Sequence, residues 1–192
     1  AIRREAATAL GRLGEGQAVP ALLEALTRKP SRPEEHAILY ALIEINDYEQ
    51  IAQGLVSDSS NVRRGALVVL EQLDPQRITL KDVAPLLDDN DDALRRVAVN
   101  VYRRHADDLA WANSAEQRIR RWLESETLTA SRQETILHLL TAFAAQEPVG
   151  QLIGQTLQNA TVPTAMREAL FAALANGRGL PLHPSWTEPI KA

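Results

Sequence analysis

Val62-Arg63-Arg64-Gly65-Ala66-Leu67-Val68-Val69-Leu70 returns 32 residues later as Leu94-Arg95-Arg96-Val97-Ala98-Val99-Asn100-Val101-Tyr102. At about 100° per residue, Val62, Ala66, Val69, Leu70 and Leu73 share one helical face. All five are apolar, so that face is expected to be core. Working outward from the last residue of the phrase, its equivalents are Leu10, Leu42, Leu70, Tyr102, Leu140 and Leu174, at spacings of 32, 28, 32, 38 and 34 residues. Periods of that size indicate stacked helical units that bury their apolar faces on one another.

Composition sets the outer limits. The 192 residues, 45% apolar and 24% charged, are enough to bury a core and argue against disorder. The balance of 21 basic against 25 acidic residues, net charge -4, gives no global pull on polyanions, so no nucleic-acid partner is expected. Absence of cysteine removes disulfides, thiolate metal sites, cysteine nucleophiles and covalent c-type haem attachment. No apolar run approaches the roughly 20 residues that span a bilayer, and direct membrane insertion is not expected. Residues 1–7 already read as the interior of the repeated helix, and residues 184–192 as the start of a first helix. The expectation is therefore one repeat domain over 1–192, a piece of a longer array or multidomain protein, of unassigned compartment.

Each unit is expected to pair a shorter first helix with a longer second one. The pairs are 17–27 with 32–45, 47–56 with 60–73, 80–87 with 91–105, 114–125 with 130–146, and 148–158 with 163–176. Pro20 and Pro33 fall where proline suits an opening turn, and Asp58, Ser59 and Ser60 offer acceptors to the amides that open the helix at 60. Thr79 opens the helix at 80. Residues 88–92 read as an acidic capping turn, 107–113 as an irregular connection, and Gly177 as a helix stop. No strand alternation persists, so the fold is expected to be all-α.

Opposite the core stripe lie Arg64, Val68 and Glu71. Their equivalents are His36, Tyr40 and Ile43; Arg96, Asn100 and Arg103; and Glu134, His138 and Thr141. Stacking aligns these into one polar stripe, in which Tyr40, Arg64, Arg96, Asn100, Arg103 and His138 are the candidate partner-binding residues. The arginine doublets at 3–4, 63–64, 95–96, 103–104 and 120–121 are read as one bridging residue followed by one solvated residue.

The apolar first helix Ala18-Val19-Pro20-Ala21-Leu22-Leu23-Glu24-Ala25-Leu26, a turn with Asp or Asn, and then Val-Arg-Arg with spaced Ala and Leu resemble HEAT repeats of the short bacterial, phycobilin-lyase type. The resemblance is strong over residues 1–105 and looser beyond. It implies a right-handed α-α superhelix of about five to six helix pairs, with second helices on the concave side. It also implies turn residues Asp58 and Asn90 bonded to Arg63 and Arg95. The repeats are also similar to the helical segment of large bacterial membrane-bound dehydrogenases that carry a c-type haem domain. That likeness implies an exported or periplasmic parent; because the Cys-X-X-Cys-His haem-attachment pattern is missing, this segment is expected to hold no haem covalently and to perform no hydride or electron chemistry.

The chemistry-bearing residues are sparse. His36, His105, His138 and His183 sit in different units, and none forms the His-X3-His pair that puts two ligands on one helical face. Glu35-His36 reverses the His-Glu order of HEAT-like hydroxylases, and residues 88–92 lack the glycine and terminal glutamate of an EF-hand loop. No phosphate loop or nucleophile-base pair is visible. Trp122 and Trp186 fall in first-helix apolar stripes, and Trp111 fits either packing or surface. No metal or cofactor is expected. The function expected is a non-catalytic scaffold for a protein, a peptide or a neighbouring domain. Set against it is an enzyme of lyase or glycosylase type, with Glu71 or Glu134 as the acid.

Overall fold

The computed structural model describes residues 2–124, 128–176 and 183–186. Among them it is all α, with eleven α-helices, several short 3-10 turns and no strand. The chain divides into two compact units, Ala1–Ala98 and Val99–Ala192, and the division falls inside one helix.

The first unit holds α1 (Ile2–Leu13), α2 (Val19–Leu26), α3 (Arg32–Ile45), α4 (Tyr48–Ala52), α5 (Ser60–Leu73), α6 (Leu80–Val83) and the opening half of α7 (Asp92–Arg104). The second helices α3 and α5 begin and end where their periodicity places them. The first helices are shorter than expected: α4 tightens into a 3-10 turn at Gln53–Val56 and α6 into another at Ala84–Asp88. Pro85 supplies the reason at the second, since it has no N–H for the α-helical ladder and its ring crowds the preceding turn.

The stripe Val62, Ala66, Val69 and Leu70 is buried as expected, and Leu73 is half-buried. Gly65 and Leu67, off that stripe, are buried too. α5 needs this second apolar face because it packs against α2, α3 and α4 together. A Cβ at Gly65 would stand 2.5 Å from Leu26 Cδ1, so glycine is what lets α5 seat over α2. The approach of α1 to α3 brings backbone against backbone: a Cβ at Gly11 would stand 2.7 Å from the Ala41 backbone. α3 then stops at Asn46, which adopts a left-handed φ of 57° and donates its N–H back to Leu42.

The second unit holds the end of α7, α8 (Leu109–Leu123), α9 (Ala130–Ala142), α10 (Glu147–Gln158), α11 (Thr164–Asn176) and a 3-10 turn at Pro184–Trp186. Its core gathers on Tyr102, which meets Trp111 edge-on at 4.8 Å and Phe143 at 6.2 Å, while its hydroxyl pairs with Ser114 at 2.9 Å. Two expectations change here. Residues 109–113 are helical, because Asp108 caps α8 through the Ala110 and Trp111 amides and draws Trp111 into the core. α9 ends at Ala142, because Phe143 leaves helical geometry and Gln146 becomes the cap that starts α10. Gly177 lies outside the described residues.

Candidate functional site

Within the first unit, the first arginine of two doublets stitches the turns. Arg63 donates to the Ser57 carbonyl, to Ser60 Oγ at 2.9 Å and to the Asp89 carboxylate. Asp89 also accepts from Ser60 Oγ at 3.0 Å and from the Asp91 amide at 2.8 Å, while its carbonyl accepts from Arg95. Arg95 is buried and completes the knot by pairing with Asp92. Burial pushes the Asp89 carboxyl up, yet the Asp91 amide, the Arg63 guanidinium and the Ser60 hydroxyl outweigh it and hold its pKa below the ordinary value.

Two details of the expected pattern are corrected. The carboxylate that takes Arg63 is Asp89, while Asp58 and Asn90 point to solvent. Ser60 does not cap α5, because its hydroxyl is drawn to that same carboxylate. Asp91, by contrast, accepts from the Leu94 amide at 2.7 Å and so caps α7.

The second arginines divide. Arg64, expected to be solvated, is half-buried and reaches back to Glu35 at 2.8 Å, so it adds a bridge between α5 and α3. Arg96 is exposed. The remaining stripe residues follow Arg96 into solvent. Tyr40 is 53% exposed, with the His36 ring stacked on it at 6.5 Å. Asn100 and Arg103 are exposed one and two turns beyond Arg96 on α7. Exposed His138 stands 3.7 Å from Glu134. Tyr40, Arg64 and Arg96 belong to the first unit, and Asn100, Arg103 and His138 to the second. Arg96, Asn100 and Arg103 come together because one continuous helix carries them.

One constellation escaped the sequence reading. In the second unit, Ser185 Oγ lies 2.8 Å from His183 Nδ1, and His183 Nε2 lies 3.1 Å from Glu147 Oε2. Hydroxyl, imidazole and carboxylate stand in the order that activates a nucleophile. Its surroundings make it a latch. Nδ1 also accepts the Ser185 amide, Ser185 Oγ donates to the Gly150 carbonyl at 3.2 Å, and the serine sits where a Cβ on Gly154 would be. Buried Trp186 donates its indole N–H to the same Gly150 carbonyl at 2.8 Å. The hydroxyl thus faces helix backbone. Hydrogen bonds from Gln151 and then His183 hold the Glu147 carboxyl below its ordinary range. Two glycines four apart, Gly150 and Gly154, were the one signal of a close approach on α10.

The first unit also has a cavity of about 410 Å³ lined by Leu55, Val56, Arg63, Lys81, Pro85 and Asp89. Its charged floor is already used in the Arg63–Asp89 stitch. No group of three or more metal-ligating side chains occurs among the described residues, and none of their helices is long and apolar enough to cross a membrane.

Residues 2–28 match the PBS lyase HEAT-like repeat family. The matched stretch is α1 and α2 with the turn between them. No curated protein and no solved structure matches the chain.

Proposed function

We propose that this HEAT-like repeat chain is a non-catalytic interaction module whose partner, a protein, peptide or neighbouring domain, docks on the exposed stripe of the second helices. The observation that supports the reading is the split within one doublet. Arg95 is buried in the stitch, whereas Arg96 stands in solvent with Asn100 and Arg103 in line along α7. Unlike Arg64, which bridges α5 to α3 through Glu35, Arg96 makes no such bridge among the described residues. Glu71 and Glu134 give the enzyme reading little support. Glu134 is exposed beside His138, and Glu71 is half-buried in α5, with neither lining the cavity described above.

The test is capture by the whole chain as bait, with cross-linking to fix weak complexes. Replacing Tyr40 by Ala together with Arg96 and Arg103 by Glu should reduce capture about tenfold or more while helicity and melting stay unchanged. Equal capture by this variant would remove the stripe from the function.

A further inference from the structure

Resting on that reading, we infer that the Arg96–Asn100–Arg103 face of α7 takes an extended, polyproline-II-like acidic segment with two carboxylates three residues apart. The three side chains lie at i, i+4 and i+7 of one helix, all exposed. Neither arginine has an ion-pair partner among the described residues, and the nearby Asp92 carboxylate is taken by Arg95. Elsewhere the guanidinium groups of Arg63, Arg64 and Arg77 are tied to carboxylates. Two exposed cations and an amide on one face of a single helix, on a chain of net charge -4, suit an anionic partner.

Helix geometry sets the spacing. Seven residues at 1.5 Å rise separate Arg96 and Arg103 by about 10.5 Å along the axis. A polyproline-II segment has three residues per turn, so residues i and i+3 project to the same side about 9.3 Å apart. In a β-strand the same two residues point to opposite faces, and i, i+2 are only about 6.6 Å apart. The polyproline-II backbone makes no internal hydrogen bonds, which leaves its carbonyls free for the Asn100 amide midway between the arginines. A helical partner is disfavoured because no large apolar side chain is exposed on α7 for it to pack against.

The experiment uses fluorescein-labelled peptides with the intact chain, read by anisotropy at low ionic strength. Glu-Pro-Pro-Glu should bind about five- to tenfold tighter than Gln-Pro-Pro-Gln, Glu-Pro-Glu or a peptide with five intervening prolines. Arg96→Gln or Arg103→Gln should erase that preference, and Arg96→Lys should keep part of it. Circular dichroism checks that these exposed changes leave the helices intact. Absence of a spacing preference, or equally tight binding of oligothymidylate of the same charge, overturns the inference. If the preference is absent while the Tyr40, Arg96 and Arg103 variant still loses its partner, the inference fails and the interaction reading stands. If that variant keeps its partner, the interaction reading itself fails.

Discussion

Asp89→Ala is the substitution from which the stacking of the first unit should suffer most. The side chain is 9% exposed and accepts from Arg63, Ser60 and the Asp91 amide, so its removal takes one acceptor away from three donors. Arg63, at 18% exposure, would keep the Ser57 carbonyl and Ser60 but lose the Asp89 carboxylate. A fully buried pair broken on one side costs about 3–5 kcal/mol, and an exposed pair about 0–1. This partly buried knot belongs between them, at about 2–3 kcal/mol. With a urea slope of about 2 kcal/mol/M, the midpoint of the first unit's unfolding should fall by about 1–1.5 M. Far-UV circular dichroism measures the shift, and hydrogen exchange at the Asp91 and Leu94 amides places it. Adding Arg63→Met should cost less than the sum of the two single changes, because the stranded cation is then gone. A loss below about 0.5 kcal/mol for Asp89→Ala would refute the claim that this knot holds the turns together. The pH dependence has a definite sign. The folded carboxyl titrates below its unfolded value, so its contribution is full above about pH 4–5 and disappears as pH falls through the depressed folded pKa. The wild-type chain should lose stability over that acid range more steeply than Asp89→Ala.

Gly11→Ala gains about 1 kcal/mol of helix propensity but puts a methyl 2.7 Å from the Ala41 backbone, so overpacking at about 1–3 kcal/mol should win and melting should fall. Gly154→Val should expel residues 183–186, since its Cβ would meet Ser185 Oγ at 2.5 Å and the Ser185 carbonyl at 2.8 Å. Trp186 emission would then shift to the red, and an unchanged spectrum would count against the latch. Tyr102→Phe should cost about 1 kcal/mol, read by thermal melting, through loss of the Ser114 hydrogen bond without a cavity.

What could be read in advance followed the strength of the helical period. α3 and α5 were legible because fourteen residues each give several turns of apolar recurrence. The first helices carry fewer turns, and whether Pro85 bends, ends or tightens such a short segment depends on the packing around it. The start of α8 was hidden because Asp108 reads equally as loop or cap until Trp111 finds its place against Tyr102. Asp89 was missed for a related reason: a run of acids tells that a turn caps a helix, but only the three-dimensional reach of Arg63 selects which acid. The Glu147–His183 contact joins residues 36 positions apart, beyond any local pattern.

The doublets show how a helical repeat can serve stacking and surface with the same residue type. Neighbouring residues on a helix diverge by about 100°, so when one guanidinium enters the stitch the next is turned away from it. What the second arginine does then depends on the neighbouring repeat. In α5 the preceding helix offers Glu35, and Arg64 is spent as a second bridge. In α7 no such carboxylate meets Arg96 among the described residues, and Arg96 is followed by Asn100 and Arg103 where α5 has Val68 and Glu71. The repeats are therefore alike in what holds them together and different in what they show to solvent. Grafting the α5 arrangement onto α7, by Asn100→Val with Arg103→Glu, should leave melting within about 0.5 kcal/mol of wild type. It should nonetheless remove the acidic-peptide preference, whereas loss of both together would mean that the exposed column of α7 is structural after all.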